Sequence, residues 1–144
     1  MTDARKTLIV PYRTLVVEDH RPFLDHICSA LRAHPDLQVV GETQNGLEAV
    51  EYARDLQPDL ILLDIGLPGL NGIEAARRIR SIAPNARIVF VTQESSPDLV
   101  HAALDLGAWG YVLKISVARD LGAAVDAVIN GKKFVSEGLD GEAR

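Results

Sequence analysis

The chain has 144 residues, 47% of them hydrophobic and 24% charged, with a net charge of −5. This is the size and balance of one globular domain with a full core, and it excludes a disordered chain. The acidic balance argues against direct nucleic-acid binding by this chain, which calls for a basic face. The single cysteine, Cys28, permits no disulfide within the chain and suits a reducing cytoplasm. Among the apolar residues of a predicted helix it reads as a buried, unreactive thiol. No apolar run reaches the roughly 18 residues of a membrane span, so no membrane partner is predicted.

Taken in order, residues 1–12 read as a tail, with residues 8–10 as an optional short strand. Strands are predicted at 14–17, 38–42, 60–63, 87–91 and 110–113, and helices at 22–34, 46–55, 72–81, 97–106 and 117–130. The strands are short apolar runs without period-2 alternation, which marks strands buried on both faces. In the second helix Leu47, Val50, Glu51 and Ala53/Arg54 divide into an apolar and a polar face. In the fifth, Leu121, Ala124, Val125 and Val128 recur at helical spacing. Asn45-Gly46-Leu47-Glu48 and Asn71-Gly72-Ile73-Glu74 are near-identical helix starts, each an Asn cap with a Glu three residues on, a variant of the capping box. Ser96-Pro97 supplies another cap, and Gly107 and Gly131 fall where helices stop. Five strands alternating with five helices predict a doubly wound α/β fold with a parallel sheet. Ligands of such sheets bind beyond the carboxyl ends of the strands, where the strand order reverses.

Function is therefore sought just after each strand. Glu18-Asp19 follow the first, Asp64 the third, Thr92, Gln93 and Glu94 the fourth, and Lys114 the fifth. If the first and third strands are neighbours, three carboxylates converge, and like charges so placed need a cation. Lys114 is one, and a bound Mg²⁺ suits an all-oxygen ligand set. Such a site can position a phosphoryl group, with Asp64 as carboxylate nucleophile and Thr92 as hydroxyl donor. Each residue also has a plainer reading. Asp19 is equally a helix N-cap, Asp64 a turn residue, Thr92 a strand former and Lys114 a solvated lysine. His20, His26, His34 and His101 show no metal-ligand spacing, and Trp109 reads as a packing or surface residue. Only the combination points to a site.

With these residues in view, the chain resembles the receiver domains of two-component response regulators, most of all those of LuxR/NarL-type transcriptional regulators. The resemblance runs from about Thr14 to Asn130. It rests on Leu15-Val16-Val17-Glu18-Asp19, on Asp64-Ile65-Gly66-Leu67-Pro68-Gly69-Leu70-Asn71-Gly72, on Val91-Thr92, and on Gly107-Ala108-Trp109-Gly110-Tyr111-Val112-Leu113-Lys114. It implies a flavodoxin-like three-layer (βα)5 sandwich with strand order 2-1-3-4-5, and a receiver domain over residues 13–131 with a tail or linker start at 132–144. It implies a signalling domain rather than an enzyme. Asp64 is then the phospho-acceptor, served by a sensor histidine kinase or phosphotransfer protein. Glu18, Asp19, Asp64 and the Gly66 carbonyl hold Mg²⁺, Thr92 and Lys114 contact the phosphoryl oxygens, and Thr92 with Tyr111 forms the switch. Gly66, Gln93 and Glu94 govern access and phosphoryl lifetime.

Three positions depart from the commonest pattern. Glu18 stands for the usual Asp and reaches further. Ile115 stands where many receivers have proline, so the cis peptide of those members is not expected. Gln93 replaces a small residue, which keeps a second reading alive: a degenerate receiver acting as a phosphorylation-independent interaction module. A flavodoxin-like carrier fits poorly, since the loop after the first strand is acidic rather than phosphate-cradling. A dinucleotide enzyme fits poorly for want of G-x-G-x-x-G. A phosphatase with an Asp nucleophile would carry a second Asp where Gly66 stands. Residues 130–136, Asn-Gly-Lys-Lys-Phe-Val-Ser, resemble the start of the linker of LuxR/NarL-type regulators. The chain is either a stand-alone receiver that docks a downstream effector protein or a receiver excised from a longer regulator, with a slight preference for excision. The fourth predicted helix carries no Lys or Arg, so a charge-paired dimer there is not evident. A weak or phosphorylation-dependent homodimer stays open.

Overall fold

The structure is a computed structural model that describes residues 10–139. The strand raised at 8–10 falls largely outside them. Six parallel strands form one sheet: β1 (Tyr12–Val17), β2 (Leu37–Thr43), β3 (Leu60–Leu63), β4 (Arg87–Thr92), β5 (Gly110–Leu113) and β6 (Phe134–Val135). Five helices alternate with them: α1 (Arg21–Arg32), α2 (Gly46–Leu56), α3 (Gly72–Ile82), α4 (Pro97–Asp105) and α5 (Val117–Ile129). The strand order is β2-β1-β3-β4-β5-β6, so the expected 2-1-3-4-5 order holds and a sixth strand extends it.

Both sheet faces are covered, which is why the strands read as continuous apolar runs. Side chains alternate across the sheet. Leu15, Val17, Ile61, Leu63, Ile88, Phe90 and Tyr111 pack on one face with α2, α3 and α4. Val16, Leu60, Leu62, Val89, Val91 and Val112 pack on the other with α1 and α5. Leu121, Ala124, Val125 and Val128 are buried on α5 as their spacing predicts. On α2 the expectation is corrected: Ala49 and Ala53 face the core, while Leu47 is 46% exposed.

The two Asn-Gly helix starts have a further cause. A Cβ on Gly46 would lie 1.8 Å from the Leu70 carbonyl oxygen, and one on Gly72 would lie 2.0 Å from that of Asp64. Each glycine lets a helix start press against the loop after β3. The capping box forms only in part. Asn45 Oδ1 accepts from the amides of Leu47 and Glu48, and Asn71 Oδ1 from that of Glu74. The two glutamates turn elsewhere, Glu48 to the Thr43 hydroxyl and Glu74 to Arg77 and Arg78. Cys28 is buried; burial first, and the neighbouring Glu42 carboxylate second, push its thiol up to about 12, which agrees with an unreactive thiol.

The segment after α5, expected to be tail or linker, packs on the domain as far as the structure describes it. Phe134 and Val135 pair with Gly110 and Tyr111. The fully buried Ser136 hydroxyl donates to Asp120 Oδ2 at 2.8 Å and accepts from the Leu113 amide at 3.1 Å, and Leu139 is buried. The Asp120 carboxyl is held below its usual range by hydrogen bonds from Arg119 and then, against its burial, from Ser136. Ser136→Ala removes the acceptor of the half-buried Leu113 amide and one donor to the buried Asp120 carboxylate, which keeps Arg119. It is expected to cost about 1–3 kcal/mol of folding free energy, read as a lower midpoint in urea unfolding at unchanged slope.

Candidate functional site

β1 and β3 are neighbours, with Val17 opposite Leu63, so the residues following both strands meet at the sheet's carboxyl edge. The alternation along the strands aims them. Val16, Leu62 and Val112 face α1 and α5, and the residues two further on are Glu18, Asp64 and Lys114. All three therefore project to the α1 side. Phe90 and Tyr111 face α4, and Thr92, two residues after Phe90, projects with them. The chemistry and the Thr92–Tyr111 pair thus occupy opposite sides of one sheet edge.

Lys114 Nζ lies 2.7 Å from Glu18 Oε1 and 3.0 Å from Asp64 Oδ2, with the two carboxylate side chains only 2% and 6% exposed. Asp64 Oδ1 accepts from the Ile65 amide at 2.7 Å, which fixes the carboxylate plane. Glu18 Oε2 accepts from the His20 amide at 2.9 Å. Burial, the largest influence, raises the Glu18 carboxyl above its usual range, with the Asp64 charge adding to it, and the Lys114 contact and the His20 amide reverse this only in part. Burial alone would lower the Lys114 ammonium, but Glu18 and Asp64 more than reverse it and leave it raised.

Asp19 does not cap α1. The N-cap position is His20, and no side chain caps that helix end. Oxygens of Glu18, Asp19 and Asp64 all lie within 4.8 Å of one another. Ligands on opposite sides of Mg²⁺ stand about 4.2 Å apart. Glu18 Oε1 is buried and, although close to Lys114, has no aligned hydrogen-bond donor. Three carboxylates and one ammonium leave the cluster with two uncompensated negative charges. Donor chemistry, spacing, an orphaned buried oxygen and charge all fit a divalent cation. A cleft of about 440 Å³ opens above them, lined by Asp19, His20, Phe23, Asp64, Gly66, Thr92, Gln93, Glu94 and Lys114. A Cβ on Gly66 would meet nothing within 4 Å, so that side of the mouth is open.

Tyr111 is fully buried beside Phe90, and its hydroxyl donates to the Glu94 carbonyl at 2.7 Å. Burial, with the Glu94 and Asp64 charges behind it, pushes its hydroxyl up to about 12. The Glu94 amide in turn donates to Thr92 Oγ1. The ring is thus inward, tied through Glu94 to Thr92. Trp109 packs as expected, with the Arg87 guanidinium 4.3 Å above its ring. Ile115 is 93% exposed, and no cis peptide bond occurs among the described residues. Sequence reasoning missed His20 and Phe23 as cleft residues. The available signal was position, since Phe23 lies one helical turn beyond Asp19.

Residues 14–126 match the family model of the response regulator receiver domain. The chain belongs to this family. Its relatives include the nitrate/nitrite response regulator protein NarL of Escherichia coli K12, 36% identical over 90% of this chain and 60% of that protein. The response regulator protein VraR of Staphylococcus saprophyticus is 35% identical over 85% and 59%. The chain spans about three-fifths of the length of these curated relatives. Among solved structures, a LuxR-family two-component response regulator from Aurantimonas sp. SI85-9A1 is similar with a TM-score of 0.87 and 32% identity, over 92% of this chain and 95% of that one. The isolated receiver of RcsB from Salmonella enterica serovar Typhimurium, determined with the phosphomimetic BeF3⁻, is similar with a TM-score of 0.86 and 27% identity, over 93% and 99%. The fold is thus that of a flavodoxin-like receiver of the LuxR/NarL type. Receivers are signalling domains of two-component systems, and no helix among the described residues is long and apolar enough to cross a membrane.

Proposed function

We propose that this receiver accepts a phosphoryl group on Asp64 from a phosphohistidine of a sensor histidine kinase or phosphotransfer protein. The observation that carries the reading is Lys114 Nζ lying between the buried Glu18 and Asp64 carboxylates, inside the three-carboxylate cluster. An Asp64 carboxylate oxygen forms the new P–O bond as the P–N bond breaks. The imidazole keeps that electron pair and takes up a proton. Glu18, Asp19, Asp64 and the Gly66 carbonyl would hold Mg²⁺. A bound Mg²⁺ supplies charge neutralisation for the oxygens of the transferring group. Lys114 places a fixed positive charge beside the acceptor, and Thr92 offers a hydroxyl across the cleft.

The switch in this reading is the Thr92–Glu94–Tyr111 chain. A phosphoryl group that draws Thr92 toward Asp64 pulls on the Glu94 amide, and the Glu94 carbonyl holds Tyr111. The α4–β5 face then repacks for a downstream effector domain or protein. Gln93, exposed at the mouth of the cleft with Glu94 and Gly66, sets entry and lifetime. It also supports the second reading, a degenerate receiver that takes no phosphoryl group and acts as an interaction module. The family reading carries with it a cytoplasmic setting and a regulatory output through a separate part.

Titration calorimetry with Mg²⁺, with and without beryllofluoride, separates the two. The expected result is Mg²⁺ binding that tightens with beryllofluoride, with the gain lost in Asp64→Ala. Mg²⁺ binding indifferent to beryllofluoride in folded protein favours the interaction module.

A further inference from the structure

Lys114 is a long, flexible side chain asked to hold one point in space. It opens a 3-10 turn, Lys114–Ser116, and its neighbour Ile115 faces solvent at 93% exposure. Its own segment gives the ammonium little lateral support. The support comes from α1. Phe23 sits in the first turn of that helix, on the side toward which the strand alternation aims Glu18, Asp64 and Lys114. Its half-buried ring packs at the margin of the α1–α5 core and lines the cleft. Lys114 Nζ lies 5.0 Å from the ring centroid, within the range at which an aromatic face attracts a cation.

We propose that Phe23 is a positioning residue for Lys114. Its ring face holds the ammonium at the Glu18–Asp64 pair by a cation–π contact. Two carboxylates draw the ammonium from one side, and on their own they leave it free to swing between them or out to solvent. The ring supplies an attractive wall that offers no competing acceptor oxygen. It also sheds water from one side of the ammonium, which strengthens the charge felt at Asp64. A polar residue here would hydrogen-bond the ammonium away from its task, whereas an aliphatic one would cover it without attracting it.

This deepens the phosphoryl-acceptor reading and depends on it for the rate measurement alone. The test replaces Phe23 with 4-fluoro-, 3,5-difluoro- and 3,4,5-trifluorophenylalanine, which keep the ring's shape while draining its face of negative charge, and adds Phe23→Leu and Phe23→Trp. Two quantities are read. One is the rate of mass gain with acetyl phosphate and Mg²⁺. The other is the solvent-exchange rate of the Lys114 ammonium protons by NMR, in protein without phosphoryl donor. The expected result is a logarithmic fall in labelling rate with each added fluorine, a loss of about 3- to 30-fold in Phe23→Leu, and a near-wild-type rate in Phe23→Trp. Ammonium exchange quickens in the same order. Fluorinated proteins that all match the wild type in both quantities overturn the proposal and leave Phe23 as hydrophobic cover. If the wild type itself takes no phosphoryl group, the acceptor reading fails, and the ammonium exchange series still decides the role of Phe23.

Discussion

Lys114→Met is expected to slow phosphoryl uptake by at least about 100-fold, the scale on which removing one preorganised charge-stabilising donor acts, while tightening Mg²⁺ binding. The two effects part because Lys114 serves one and opposes the other. Its ammonium lies 3.0 Å from Asp64 Oδ2 and 2.7 Å from Glu18 Oε1, where it neutralises the acceptor and a transferring group alike. The same charge repels a divalent cation bound by those carboxylates. Methionine keeps the unbranched apolar stem and removes the ammonium, with its charge and its N–H donors. Without metal, the substitution leaves two buried carboxylates facing each other. Breaking a buried ion pair costs several kcal/mol. Lys114 is 20% exposed, so the loss in folding stability is on the order of 2 kcal/mol, and millimolar Mg²⁺ restores most of it. Calorimetry for the metal and intact mass for the phosphoryl group read the two effects separately. Equal weakening of both would show that Lys114 only shapes the pocket.

Glu18→Gln is expected to raise the thermal midpoint of the metal-free protein at pH 7.5, and to lower it relative to wild type once Mg²⁺ is added. The cause is the raised folded-state pKa of Glu18, driven first by burial. A carboxyl raised above its unfolded value binds more protons folded than unfolded. Its stabilising share is therefore present below the ordinary carboxylate range and is lost as pH rises through the folded value. Ionising the buried Glu18 works against the metal-free fold. Gln removes that cost, so the wild type and the variant should converge below the ordinary carboxylate range and diverge above it. Mg²⁺ reverses the order because the ionised Glu18 is worth having only with the metal bound. Parallel pH profiles for the two proteins would contradict this account of the site.

Much of the site was legible because burial on both sheet faces leaves a strong mark on sequence. The run Leu60–Leu63 could only be an inner strand, so the polar residue ending it stood out. Glycines and capping residues bounded the helices at the right places. Glu18, Asp64 and Lys114 each follow a strand by one residue, which was enough to place them at one sheet edge. What escaped detection was set by tertiary contact. β6 has only two residues, Phe134 and Val135, and its place depends on a lateral bond to β5 and on the buried Ser136 hydroxyl. No periodicity exists over two residues. The Asn-Gly pairs suggested capping, while their glycines also answer to backbone carbonyl groups of Asp64 and Leu70 at the two ends of the loop after β3. Leu47 fitted an apolar stripe, but α2 packs through alanines that let it approach closely. Nothing in the sequence singled out Phe23, whose ring only the fold sets beside Lys114.

The measurement that bears most directly on the central claim is intact-protein mass after incubation with acetyl phosphate and Mg²⁺, with Asp64→Ala as control. A single phosphoryl adduct that requires both Mg²⁺ and Asp64 is the predicted result. Folded protein that gains no adduct, or gains one that survives Asp64→Ala, would contradict the assignment of Asp64 as the acceptor.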